Sequence, residues 1–229
     1  MQNYALSRNF IQTRMGQTFA MRESILAEQM AYYRARAAEY DETAYPNRAR
    51  DEARVAAIVD GLDLRGDVLE LACGTGMWTQ ALARTADALT ALDQSPEVIE
   101  LARRRCPPSV RFEVADLLSW TSEPRFDAVF FAFWLSHVPA DLFDGFFDRV
   151  GSWLRPGGRA IFVDETPSAV PQGELSGEIE VRTLTDGTPH RIVKVYRGTD
   201  ELDAALAALG WASEYRVDGA WIIGQARPS

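Results

Sequence analysis

From about residue 22 the apolar and polar positions fall into readable periods. Leu26, Met30, Tyr33, Ala37 and Tyr40 recur at three- and four-residue steps, the stripe of an amphipathic helix. Tyr45-Pro46 interrupts it, and a second helix is expected to about residue 59, closed by Asp60-Gly61. The pattern then changes to short β-rich runs at 67–73, 88–92, 110–114, 126–132 and 159–164, with helical stretches at about 76–85, 95–105 and 140–154 between them. That alternation is the βαβ rhythm of a parallel sheet covered on both faces. One helix start is well marked: Ser95 caps it, Pro96 takes the first position, and Glu97 suits the positive end of the dipole.

Beyond residue 164 the rhythm breaks. Runs at 178–184 and 191–196 alternate at period two around Asp186-Gly187, which predicts a β-hairpin. A helix at about 200–209 ends at Gly210, and two last strands follow near 212–217 and 220–225, bringing the sheet to seven. The expected organisation is an N-terminal extension and helical cap over 1–45, then one α/β domain over 46–229. Residues 1–20 carry no core signature and read as an add-on, with Met21 an equally good start.

The charge balance narrows the partners. With 24 Lys and Arg against 33 Asp and Glu, the net charge is −9, which disfavours nucleic acid and anionic membranes. The one basic run, Arg103 to Arg105, falls at a predicted helix C-terminus, where it complements the dipole. Cys73 and Cys106 lack CxxC spacing, so a reducing, cytoplasmic setting is expected. No stretch approaches the roughly 18 apolar residues that a membrane span needs.

The candidate chemistry centres on Glu70-Leu71-Ala72-Cys73-Gly74-Thr75-Gly76-Met77-Trp78-Thr79, where a strand runs into a turn and a helix. A dinucleotide site would want a third glycine where Thr79 stands, and a carboxylate at Glu70 suits a cationic ligand better than a pyrophosphate. The segment resembles the first motif of class I S-adenosylmethionine-dependent methyltransferases, acidic-x-G-x-G-x-G, with Ala72 in place of one glycine. Further matches follow in order: Asp93 ending the second strand, Asp116 in Val114-Ala115-Asp116-Leu117, and Leu154-Arg155-Pro156-Gly157-Gly158 before the fifth. The resemblance implies a Rossmann-like doubly wound, mostly parallel sheet and S-adenosyl-L-methionine as cofactor. It also implies that Asp93 accepts the ribose hydroxyls, that Asp116 accepts the adenine amine while Gln94 and Leu117 pack on the ring, and that Glu70 holds the loop and biases it toward a sulfonium.

Several features bear on the acceptor. The fourth strand ends in Ala132-Phe133-Trp134-Leu135, not in the Asn/Asp-Pro-Pro-aromatic motif of relatives that methylate nucleobases, so a small molecule is expected. The Asp and Asp-Asn positions that hold magnesium in catechol-type relatives are missing, so no metal is expected. His137 follows this strand, where an imidazole can serve as general base or cap the next helix. Trp78 and Phe133 are expected beside the cofactor. Tyr33, Arg36 and Tyr40 share one helical face, and in similar methyltransferases N-terminal helices fold over the cofactor, with Arg36 then free to pair with the methionine carboxylate. Those helices are also the candidate contact for a homo-oligomer. Whether O, N or C is methylated stays open, and a nicotinamide-dependent reductase or a non-catalytic cofactor-binding regulator stand as alternatives.

Overall fold

The computed structural model describes residues 21–229 apart from 122, 124 and 170–174. The add-on expected over residues 1–20 therefore lies outside the described residues. Helix α1 runs over 21–36, α2 is Tyr40–Ala44 and α3 is Arg48–Asp60. The alternating region follows as β1 (Asp67–Leu71), α4 (Met77–Leu82), β2 (Ala88–Asp93), α5 (Pro96–Arg105), β3 (Arg111–Val114), β4 (Phe126–Ala132), α6 (Phe143–Trp153) and β5 (Leu154–Glu165). A small antiparallel sheet comes next, of β6 (Leu175–Ser176), β7 (Ile179–Thr183) and β8 (Pro189–Val193). Helix α7 (Thr199–Ala208), β9 (Trp211–Asp218) and β10 (Trp221–Pro228) complete the chain.

The main sheet has seven strands in the order β3-β2-β1-β4-β5-β10-β9. The first five are parallel, and β10 is antiparallel to both β5 and β9. Strand order reverses between β1 and β4, and such a switch point opens a crevice at the carboxyl ends of the strands. Alternation along β4 separates the two core layers: Ala128 and Phe130 pack with α3, α4 and α5, while Val129 and Phe131 pack with α6 and α7. Ser95 caps α5 as its residue type dictates, accepting the Val98 N–H at 3.3 Å with Pro96 behind it.

Three expectations about elements are corrected. The buried stripe of α1 is Ile25, Gln29 and Tyr32, one position from the stripe expected. The neighbouring face, with Met30 and Tyr33, lines a cavity instead, and a turn at 37–39 separates α1 from Tyr40. Strand β1 stops at Leu71 because Ala72 adopts φ 52°, a left-handed conformation that a strand cannot continue. The 154–158 turn lies within β5, which begins at Leu154 and shifts register against β4 between Phe126 and Ala128.

Candidate active site

A cavity of about 360 Å³ lies over the carboxyl ends of β1, β2 and β4, roofed by α1, α2 and the small sheet. Its lower wall is made by the strand-end turns. Asp93 fixes that geometry: one carboxylate oxygen accepts the Gly74 N–H at 3.1 Å and the other the Ser95 N–H at 2.9 Å. Burial pushes its carboxyl above the usual range, opposed by these backbone donors. Gly74, at φ 56°, leaves the space of a missing Cβ open toward the cavity. Gly76 is closed for another reason: at φ 89° a Cβ there would meet Cys106 Sγ at 2.9 Å, so the α4–α5 packing requires glycine. Ala72 and Phe133, both in the cavity wall, are left-handed without being glycine, and such strain concentrates where a ligand is held.

The roof is sewn to this floor. Asp41 of α2 accepts from the Thr75 hydroxyl in the glycine loop and pairs with Arg105 and with Arg48, the last at 3.0 Å. Arg36 donates to Thr43 Oγ1 at 2.7 Å and stacks over Tyr40 at 4.8 Å. Helix α1 clasps the small sheet through Glu28–Arg191 at 2.7 Å and through Gln29, whose Oε1 accepts the Val193 N–H at 2.9 Å.

The remaining wall joins parts of the chain far apart in sequence. His137 Nδ1 lies 2.7 Å from the Val193 carbonyl, which only accepts, so Nδ1 carries the proton and Nε2 accepts from the Tyr33 hydroxyl at 2.8 Å. Burial, with Lys194 and Arg182 nearby, pushes His137 well below the usual histidine value, so it is neutral at physiological pH. Burial raises the Tyr33 hydroxyl above its ordinary value. Lys194 is the single lysine beside 23 arginines. Its side chain is 2% exposed, and Nζ donates to Ser136 Oγ at 2.8 Å and pairs with Glu165 at 2.7 Å. Asp164 orients that serine segment by accepting the Ser136 N–H at 2.8 Å. Arg182 stands in the same wall, so two cations line it, each with a carboxylate partner.

Of the residues expected from sequence, Tyr33, Arg36, Ala72, Gly74, Asp93, Gln94, Leu117, Phe133 and His137 share this cavity. Glu70, Gly76, Trp78 and Asp116 are not in its wall. Glu70 is buried under the loop, and burial lifts its carboxyl to about 8, so it holds a proton at neutral pH and cannot bias the loop by charge as expected. Trp78 packs in the core on Phe130 at 5.4 Å. Asp116 is exposed and accepts from Gln94 Nε2 at 2.7 Å, acting on the wall through that side chain. Arg182, Lys194, Glu165 and Trp221 line the cavity without having been expected. Only Lys194 had a signal in the sequence, its uniqueness among the cations.

No helix is long and apolar enough to cross a membrane, and no group of three or more His, Cys, Asp or Glu side chains converges as a metal cage among the described residues. Comparison with known proteins adds to the geometry. The sequence model of a family described as a methyltransferase domain matches residues 68–158. The ubiquinone biosynthesis O-methyltransferase of Xanthomonas campestris pv. campestris (strain B100) is 32% identical over 130 residues, 54% of each protein. The chain thus spans about half the length of the curated relatives it matches. A structure of DhpI in complex with SAH is 44% identical, with TM-score 0.79 over 89% of this chain and 97% of that one. A DhpI–SAM–HEP complex is 42% identical, also at TM-score 0.79, over 89% and 98%.

Proposed function

The chain belongs to the class I S-adenosylmethionine-dependent methyltransferases, and from that premise we propose that it transfers the cofactor's methyl group to an oxyanion oxygen of a small molecule. The observation that carries this is Lys194. A chain that uses arginine for every other cation keeps one compact ammonium, and keeps it buried in the cavity wall beside Arg182. Residues with only donors, held in a low-dielectric wall, recognise a ligand rich in acceptors. That DhpI has been solved with SAM and HEP together is consistent with one cavity holding cofactor and a second small molecule.

The strand-end wall fits the cofactor. Asp93 would hold the ribose, Gln94 and Leu117 the adenine with Asp116 behind Gln94, and Gly74 admits the ligand where a Cβ would stand. Arg36, which makes no ion pair among the described residues, would take the methionine carboxylate. When bound, S-adenosylmethionine supplies an electrophilic methyl on a sulfonium, itself a good leaving group. The protein's own work is then alignment, which can remove roughly 7–11 kcal/mol of barrier when reacting atoms are held about 3–3.5 Å apart.

Arg182 and Lys194 would fix the acceptor's charge, leaving one oxygen to meet the methyl group. The Tyr33 hydroxyl would take the proton of an acceptor that arrives protonated while passing its own to the Nε2 lone pair of the neutral His137. Helices α1 and α2 would act as a cover, since Tyr33, Arg36, Tyr40 and Thr43 are all in the wall and the Asp41 and Glu28 contacts hold the cover down. The test is a transfer assay on paired acceptors, each oxyanion beside its neutral amide or ester. Methylation confined to the oxyanions supports the reading, and methylation of the neutral members alone defeats it.

A further inference from the structure

Strand β7 faces the wrong way by ordinary rules of burial. Glu180 and Arg182 face inward, while Val181 between them is 51% exposed. Side chains i and i+2 share a strand face, so a slip of one residue would bury the valine and expose both charges. Pairing with β8, Glu180 to Ile192 and Arg182 to His190, fixes the opposite choice. Two charges inside a wall are unfavourable unless their bonds are met, so the arrangement is retained for something other than stability.

Glu180, with its side chain 4% exposed, does not itself reach the cavity wall. One of its carboxylate oxygens accepts from Arg182 Nε at 2.6 Å and the other from the Tyr196 hydroxyl at 3.0 Å. Tyr196 also presents its ring to Lys194 Nζ at 5.2 Å, so one tyrosine touches both Lys194 and the carboxylate that holds Arg182. A carboxylate needed only for charge could sit anywhere around a guanidinium. This one takes Nε, the inner edge, and leaves both Nη groups without a hydrogen bond among the described residues.

Resting on the oxyanion reading above, we propose that Glu180, backed by Tyr196, is a positioning residue that holds Arg182 by Nε so that its Nη edge stands preset for the acceptor's oxyanion. It acts on the acceptor only through Arg182, and the cofactor half of the cavity does not depend on it.

The test is titration of inorganic phosphate into protein saturated with S-adenosylhomocysteine, by calorimetry. Glu180→Asp keeps the charge and withdraws the grip by one methylene, and misplacement on that scale should weaken phosphate about tenfold. Affinity for S-adenosylhomocysteine should stay within about twofold, which also shows that the variant folds. In an Arg182→Met background the Glu180→Asp loss should vanish, because the residue acted through is gone. Arg182→Lys, whose ammonium has no planar edge, replaces Arg182→Met should that variant not fold. If Glu180→Asp itself does not fold, Tyr196→Phe is read instead, with weaker phosphate and unchanged S-adenosylhomocysteine expected. Phosphate bound as tightly by Glu180→Asp as by wild type, or more tightly by Glu180→Gln, makes Glu180 a counter-charge and overturns the proposal alone. A Glu180→Asp loss that persists without Arg182 overturns it equally. Arg182→Met that binds phosphate as well as wild type overturns the proposal alone, whereas wild type that binds no phosphate overturns the oxyanion reading and the proposal with it.

Discussion

The two halves of the cavity are built by different means. The strand-end half, proposed above for the cofactor, is local: Gly74, Asp93 and Leu117 each stand within a few residues of a strand end, where turn geometry restricts the residue type. The opposite half, proposed for the acceptor, is assembled from afar, with Tyr33 meeting His137 across 104 positions and Lys194 meeting Ser136 across 58. Shared machinery can be carried by strand-end turns that any sequence of this fold must make. Specificity can then be carried by a cover and a small sheet that are free to differ.

That division should break first at Lys194. Lys194→Met removes a buried cation and leaves Glu165 without its partner, so acceptor kcat/KM should fall by about 2–5 kcal/mol in transition-state terms. Cofactor affinity should barely move, and an equal loss in both would show that the halves are one unit. Asp93→Ala is the mirror experiment. Cofactor affinity measured by calorimetry should drop by about 1.5–3 kcal/mol, the scale for hydrogen bonds to a charged group, and unchanged affinity in a folded protein would remove Asp93 from its role.

Legibility followed the same line. The βαβ region was readable because burial on both faces forces near-continuous apolar runs, and Ser95-Pro96-Glu97 announced α5 through capping chemistry alone. At the site, the glycine loop and Asp93 were readable for the reason just given. Arg182 was not, because a charge on an alternating hairpin strand reads as the solvated face until the docking of α1 turns that face inward. The stripe of α1 misled for a related reason: Gln29 belongs to the buried face through its bond to the Val193 N–H, and hydrophobic periodicity cannot see a polar anchor.

Smaller effects sharpen the contrast. Glu70 has its carboxyl at about 8 in the fold against 4.5 as its ordinary value. Between those values the native state keeps a proton that the unfolded chain releases, so this group lowers stability as pH rises through that window. Glu70→Gln should therefore raise Tm most above about pH 8 and least near pH 4.5, and the reverse order would refute a buried neutral acid. His137 shifts the other way: held well below 6.5, it stays neutral as the pH drops through that value, so its protonation should not limit turnover at any higher pH. A rate falling with a midpoint near 6.5 and abolished by His137→Gln would show the imidazole to be exposed when it works. The mildest expected change is in hydrogen exchange of residues 21–44, which should slow on cofactor binding if α1 and α2 close over it. Equal exchange with and without S-adenosylhomocysteine would leave them as static packing.

A labelled transfer experiment tests whether a strand-end wall for the cofactor faces a wall that selects an oxyanion. Protein would be incubated with S-adenosylmethionine carrying an isotopic methyl group and a panel of small carboxylates, phosphate monoesters and phosphonates, each with a neutral counterpart. The products would be read by mass spectrometry for wild type and Lys194→Met. Labelled methyl esters should form from the oxyanions, with little or none from their counterparts, and the signal should be lost in the variant. Label appearing on amines or neutral hydroxyls, undiminished by Lys194→Met, would contradict that selection.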